Sequence, residues 1–307
     1  MALDDAQTNA ATTQSAQTLR GIIFAVVALF VFSVQDAVVK ALAADYSVVQ
    51  ILCLRSITML IAAVVWIRLK GDWSAIRTKR LGAHLVRAAL IFVAFLAFYV
   101  AVTMLPLATV VALVFSAPLI TTVLSIPLLK ERVGPHRWAA VGFGFIGVLI
   151  MMRPRDGAFE WALLLCLVAS LGYALSLIQT RRIGTTESTA TMVFYAALIL
   201  FIGPLLLLPG RWVTPDAVSL AAMLGIGLLS FFGHIGLTEA YRIAPAAAVA
   251  PFDYSMLVWA VLWGFLFWRE VPDPITMAGA GLVILGGLYQ IHREARLTRR
   301  SLPRTRV

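Results

Sequence analysis

The chain alternates between long apolar runs and short polar breaks. Apolar runs of about 20 residues lie at 19–41, 47–69, 84–104, 107–129, 136–153, 159–179, 189–208, 215–238, 246–268 and 275–291. A helix of about that length, rising about 1.5 Å per residue, crosses the hydrocarbon core of a bilayer. The breaks hold proline, glycine and charge, as in KERVGPHR, MMRPRDG and LPGRWVTPD, and such residues end helices. They are short, so consecutive helices must be antiparallel neighbours. The pattern predicts an all-α integral membrane protein with ten transmembrane helices.

A shift of 139 residues lays the second half of this pattern on the first. Pro106 falls on Pro245, Ala108 on Ala247, Val110 on Val249, Glu131 on Glu270, Pro135 on Pro274, Ala139 on Ala278, Gly142 on Gly281 and Gly147 on Gly286. With five spans in each copy, the two copies must cross the bilayer in opposite senses. The chain therefore divides into a polar tail (1–18), one five-helix repeat (19–156), a second, inverted repeat (157–292) and a basic tail (293–307). Inverted repeats of this kind place a solute site near the midplane, between the halves.

Composition fits a lipid solvent. Of 307 residues, 61% are hydrophobic and 13% charged, about half the charge of a soluble domain. The net charge of +10 lies in the breaks and the tail, with no aromatic-interleaved basic face outside the spans, which argues against nucleic acid. With both termini in the cytoplasm, nineteen Lys and Arg fall on the cytoplasmic side against five on the other, with Arg55 inside a span. That imbalance orients a multi-pass protein of the cell inner membrane. The first eighteen residues lack the basic start and short apolar run of a secretory signal, so the first span is expected to be retained. Cys53 and Cys166 sit in different apolar runs and read as buried small hydrophobes.

These features resemble the drug/metabolite transporter superfamily, of the EamA type. The resemblance covers residues 19 to 291. It is carried by LPLATVVALVFSAPLITTVLSIPLLKERVGPHRWAAVGFGFIGVLIMMRP, by the weaker copy APAAAVAPFDYSMLVWAVLWGFLFWREVPDPITMAGAGLVILGGL, and by Leu54-Arg55-Ser56 in the second span. It implies a ten-helix basket whose cavity is lined mainly by helices 1, 3, 4, 6, 8 and 9, working by alternating access. Amino-acid and drug exporters, riboflavin importers and S-adenosylmethionine importers all share the pattern, so the resemblance implies a class and no single solute.

Charge at membrane depth is costly and marks candidate chemistry. Asp36 and Arg55 fall at nearly the same depth and form a candidate ion pair, with Lys40 one turn above Asp36 on the same face; Arg55 is equally a candidate for a solute carboxylate. His234 and Asp253 are level on helices eight and nine and form a candidate proton-coupling or solute-amine site. Gln35, Tyr99, Ser116, Tyr173, Tyr254 and Trp259 complete the candidate cavity wall, and Trp263 reads as belt. Pro118 and Pro251 each interrupt a span and are candidate hinges. The glycines of helices five and ten read as close-packing faces.

The expected function is secondary transport of a small metabolite, with export of an amino acid or similar zwitterion first and uptake of riboflavin or S-adenosylmethionine as the alternative. An intramembrane enzyme would need a converging nucleophile and base or a metal set. The four histidines are scattered, so neither a catalytic site nor a metal or other cofactor is expected. No phosphate-binding GxxxxGK[ST] loop occurs, which excludes ATP drive on this chain. The expected partners are the solute, the bilayer and a coupling proton, in a monomer or homodimer.

Overall fold

Hydrocarbon offers no water to the backbone, so an apolar run must satisfy its own N–H and C=O groups, and a helix does so within one segment. The computed structural model describes residues 2–69, 73–130, 133–152, 157–183 and 186–301, and among these every regular element is a helix. They are α1 (Ala2–Leu42), α2 (Val48–Leu69), α3 (Leu81–Met104), α4 (Leu107–Val114), α5 (Ala117–Leu129), α6 (Pro135–Met151), α7 (Gly157–Ile183), α8 (Thr189–Leu207), α9 (Ala217–Ile243), α10 (Ala246–Val249), α11 (Ser255–Trp268) and α12 (Pro274–Ser301), with short 3₁₀ turns at Trp73–Ile76 and Ala250–Tyr254.

Eight helical stretches are long and apolar enough to cross a bilayer, and Trp138–Met151 and Pro274–Tyr289 are shorter apolar helices. All ten expected runs are therefore helical. Two helices overrun their apolar cores, because neither the Ala-, Gln- and Thr-rich start nor the basic end contains a breaker. Glu131, Arg132, Arg153, Arg155 and residues 302–307 lie outside the described residues. Large apolar side chains face outward, Leu206 at 74% exposure and Trp161 at 70% among them, as a lipid-facing surface requires.

The helices pair across the two halves: α1 with α9, α3 with α7, α2 with α8, and α6 with α12. Where α6 meets α12 the approach is set by small residues. A Cβ on Gly147 would lie 2.5 Å from the Gly279 carbonyl oxygen, and one on Gly286 would lie 2.8 Å from that of Ala140. Positions 147 and 286, and positions 140 and 279, are each 139 apart, so one contact is the other with the partners exchanged.

Two spans are broken. The first breaks at Phe115–Ser116, between α4 and α5, where Pro118 follows in the first turn of α5. The second is a 3₁₀ turn holding Pro251 that ends at Tyr254. Although the prolines are not 139 apart, the breaks are, and the rings of Phe115 and Tyr254 meet at 4.9 Å. The same spacing separates Lys130 and Arg269, which cap α5 and α11 in the left-handed conformation, each at φ 56. Outside the spans, Asp216 starts α9 by accepting from the amides of Val218 and Ser219. The Ser219 hydroxyl and amide, with the Tyr46 hydroxyl, hold its carboxyl below the usual carboxylate range.

The α6–α12 contact leaves no room for a side chain at Gly147. Gly147→Leu is expected to destabilise the protein by about 1–3 kcal/mol through overpacking. The check is the melting temperature in detergent, where Gly142→Leu serves as control because a Cβ there meets nothing within 4 Å. Equal melting temperatures for the two variants would refute the packing.

Candidate functional site

Inside the bundle each polar side chain must find a partner among its neighbours. The largest such group gathers on α1, α2, α3 and α9. Arg55, 3% exposed, donates from Nε to Ser230 Oγ at 3.1 Å and from Nη1 to Tyr99 Oη at 2.7 Å. Its guanidinium also lies over the rings of Phe95 and Tyr99, at 5.2 and 5.5 Å from their centroids. The Gln35 amide faces both terminal nitrogens of Arg55 at 3.1 Å, so the atom there is its oxygen, and its nitrogen then turns to Ser230 Oγ. Ser230 completes its bonds by donating to the Ile226 carbonyl at 2.8 Å. The close approach of α9 to α2 depends on Gly227, where a Cβ would lie 2.0 Å from the Arg55 carbonyl oxygen.

The expected ion pair between Asp36 and Arg55 is not direct. The Tyr99 hydroxyl stands between them, accepting from Arg55 and sharing its one proton between Asp36 Oδ1 at 2.9 Å and the Gln35 oxygen at 2.7 Å. Equal depth had suggested a pair, but the two side chains approach Tyr99 from different helices. Asp36 Oδ2 is buried and has no hydrogen-bond partner. Asp36 packs there among Ser33, Leu107, Val111, Met256 and Ala260. Ser33 accepts from Trp263 Nε1 at 3.0 Å, so Trp263 turns inward rather than serving the lipid belt.

His234 and Asp253, expected level, are not joined. The His234 ring meets the Ser230 carbonyl at 2.8 Å and Phe32 edge-on at 5.0 Å, which attaches it to the Arg55 group. Asp253 Oδ2 instead accepts from Tyr241 Oη at 2.8 Å, and Asp253 Oδ1 is buried without a hydrogen-bond partner. Counting residues from a helix end predicts depth and leaves direction around the axis undetermined. The 3₁₀ turn at Ala250–Tyr254 also shifts that direction. Tyr173 leaves 45% of its surface accessible. Ser116 Oγ and Trp259 Nε1 are both buried without hydrogen-bond partners among the described residues, and the Trp259 ring stands edge-on to Phe30 at 5.1 Å.

Two further groups tie helices together near the ends of the bundle. Lys40 does not serve Asp36. It reaches Glu270 Oε1 at 2.5 Å and the Leu105 carbonyl at 3.0 Å, while Glu270 Oε2 accepts from the Leu107 amide at 3.1 Å. One ion pair thus joins the ends of α1, α3, α4 and α11. At the other end His84 is fully buried, with Nε2 at 3.2 Å from Glu187 Oε2 and its ring stacked on Tyr195 at 4.9 Å. Arg87 beside it donates to the Met192 carbonyl. In the sequence these residues read as orienting or helix-end charges. The only signal for Glu270 was its match to Glu131. Among the described residues no three His, Cys, Asp or Glu side chains gather as a metal site would need, and Cys53 and Cys166 are buried thiols.

Comparison with known proteins gives a consistent picture. The model of the EamA-like transporter family matches residues 19–153 and 160–289. The chain is 27% identical over 276 residues to the S-adenosylmethionine uptake transporter of Rickettsia prowazekii (strain Madrid E), covering 90% of this chain and 94% of that one. It is 32% identical to the riboflavin transporter of Rhizobium johnstonii, over 74% of this chain and 76% of that one. It is 27% identical to the pseudopaline exporter CntI of Pseudomonas aeruginosa, over 86% and 93%. A crystal structure 16% identical to the chain superposes with a TM-score of 0.60, over 92% of this chain and 99% of that one.

The Lys40–Glu270 contact is expected to be energetically coupled. In a double-mutant cycle with Lys40→Met and Glu270→Gln, the double variant is expected to lose about 1–2 kcal/mol less stability than the two single losses combined. Thermal unfolding in detergent reads this directly, and strict additivity would show that the two side chains do not interact.

Proposed function

The chain belongs to the EamA-like transporter family, and from that premise we propose that it takes up S-adenosylmethionine, or a closely related adenosyl amino acid, by alternating access across the cell inner membrane. One observation carries the solute side of this reading. Arg55 is a buried full charge whose direct partners are the neutral groups of Gln35, Tyr99 and Ser230. A buried charge calls for an opposite charge and further hydrogen bonds. An amino-acid carboxylate supplies both, in the bidentate geometry that a guanidinium favours. The S-adenosylmethionine uptake relative aligns along nearly the whole chain, and that compound has such a carboxylate. Export of a small zwitterion is the second reading, supported by the relative named as an exporter.

Alternating access rests on the reading of the halves as inverted repeats. The exchanged Gly147–Gly279 and Gly286–Ala140 contacts support it. So do the pairings α1 with α9 and α3 with α7, which the 139-residue shift interchanges. Pro118 and Pro251, at the two breaks, are the proposed hinges. The excess of basic residues supports placing both termini in the cytoplasm. On that orientation Lys40 and Glu270 close the outer end, and His84, Arg87 and Glu187 lie at the inner end.

Purified protein in proteoliposomes tests the function. Labelled S-adenosylmethionine, riboflavin and amino acids are supplied in turn, with and without a proton gradient. Saturable S-adenosylmethionine uptake is expected, and Arg55→Gln is expected to raise its KM about 10- to 100-fold, the loss of one charged hydrogen-bonded contact. Movement of riboflavin alone, or an unchanged KM in a folded Arg55→Gln variant, would overturn this assignment.

A further inference from the structure

We infer that Asp36 is the proton site of this carrier, taking up a proton as a solute carboxylate reaches Arg55 and giving it up when the solute leaves. The inference rests on the reading of Arg55 above and deepens it by adding the coupling ion. Asp36 is 4% exposed. Its Oδ1 lies 2.9 Å from the Tyr99 hydroxyl, which accepts from Arg55 Nη1 at 2.7 Å. A single oxygen atom therefore links carboxylate and guanidinium. Tyr99 has one proton to give and two acceptors in reach, Asp36 Oδ1 and the Gln35 oxygen at 2.7 Å. Two arrangements satisfy the group without moving a heavy atom. With Asp36 ionised, Tyr99 donates to Asp36. With a proton on Oδ1, Asp36 donates to Tyr99, and Tyr99 donates to Gln35. The other oxygen, Oδ2, has no hydrogen-bond partner. α4 and α11 present only Leu107, Val111, Met256 and Ala260 to Asp36, and none of these side chains is a donor. Ser33 gives its hydroxyl proton to the Phe30 carbonyl at 2.7 Å. That wall suits a proton and offers nothing to a bare carboxylate.

Charge accounting sets when the proton binds. The other ionisable groups nearby are already engaged. Lys40, one turn along α1, is held by Glu270, and His234 on α9 meets the Ser230 carbonyl. Arg55 on α2 and Asp36 on α1 are left to balance each other across Tyr99 on α3. In the empty carrier their charges cancel. A solute carboxylate at Arg55 leaves one negative charge in excess, and excess charge at membrane depth is costly. A proton on Asp36 removes it. The loaded and the empty carrier are then both balanced at this depth, and both can reorient. The proton enters with the solute on one side and leaves with it on the other, which is symport.

Proteoliposomes of the full chain with an entrapped pH dye test the coupling. External S-adenosylmethionine, with no gradient imposed, is expected to acidify the interior as it enters. Asp36→Asn is expected to abolish the acidification. It is also expected to lower gradient-driven uptake about tenfold more than exchange of labelled for unlabelled solute, because exchange never returns the empty carrier. An equal loss of uptake and exchange would mark a structural role and overturn the inference. So would uptake without acidification in the unaltered protein, or acidification that survives in folded Asp36→Asn. Infrared difference spectra of the solute-free chain test the carboxyl apart from transport. Arg55→Gln removes the balancing charge, so a protonated carboxyl band is expected in that variant at neutral pH. Adding Asp36→Asn in the same background is expected to remove the band. Its absence from Arg55→Gln would overturn the proton site and leave the transport reading intact. The band without any movement of S-adenosylmethionine would support the proton site and count against the transport reading.

Discussion

A full positive charge held inside a helix bundle, with no carboxylate in direct contact, governs the middle of this structure. Arg55 cannot be left bare in a medium without water. Three helices converge on α2 to meet it. α1 brings Gln35, α3 brings Tyr99 and Phe95, and α9 brings Ser230. Gly227 is part of the same requirement, since only a residue without a side chain lets α9 come close enough for Ser230 to reach the guanidinium. Asp36 and His234 are then positioned by groups already engaged with Arg55, one through Tyr99 and the other through the Ser230 backbone.

The division between scaffold and chemistry follows from this. The scaffold uses small residues and helix breaks at positions 139 apart. The chemistry uses side chains that the two halves do not share. Phe115 and Tyr254 occupy matching positions at the two breaks and touch each other, yet only one of them carries a hydroxyl. Asp253 matches Val114, and His234 matches Phe95. Polarity has been placed on one side of an otherwise matched frame. In the proposed mechanism that asymmetry is what distinguishes the solute's path from the frame that moves around it.

Most of the helical layout was legible in the chain, because an apolar run of about 20 residues has one stable solution in lipid. The nearness of Asp36 and Arg55 was also legible, since rise per residue is constant along a helix, and both reach the Tyr99 hydroxyl. Which group each side chain faces was not. Asp36 and Arg55 are level, but Tyr99 stands between them. His234 and Asp253 were expected to be level, but His234 meets the Ser230 carbonyl and Asp253 meets Tyr241 eleven residues further along the helix. Lys40 sits one turn from Asp36 and is taken by Glu270, 230 residues away in the chain. Arg87 counted with the cytoplasmic basic residues and His84 with the scattered histidines, and packing against α8 buries them. Each of these depends on pairing between distant helices, which no local pattern records.

The Lys40–Glu270 contact has a consequence for the medium in which such a protein can work. Exposed ion pairs weaken as dissolved salt screens them, whereas a pair withdrawn from solvent is screened far less. Here the two side chains are only 8% and 22% accessible, and a backbone amide and a carbonyl complete the junction. The junction of those helix ends is therefore less sensitive to the ionic strength of the surroundings than an exposed ion pair would be.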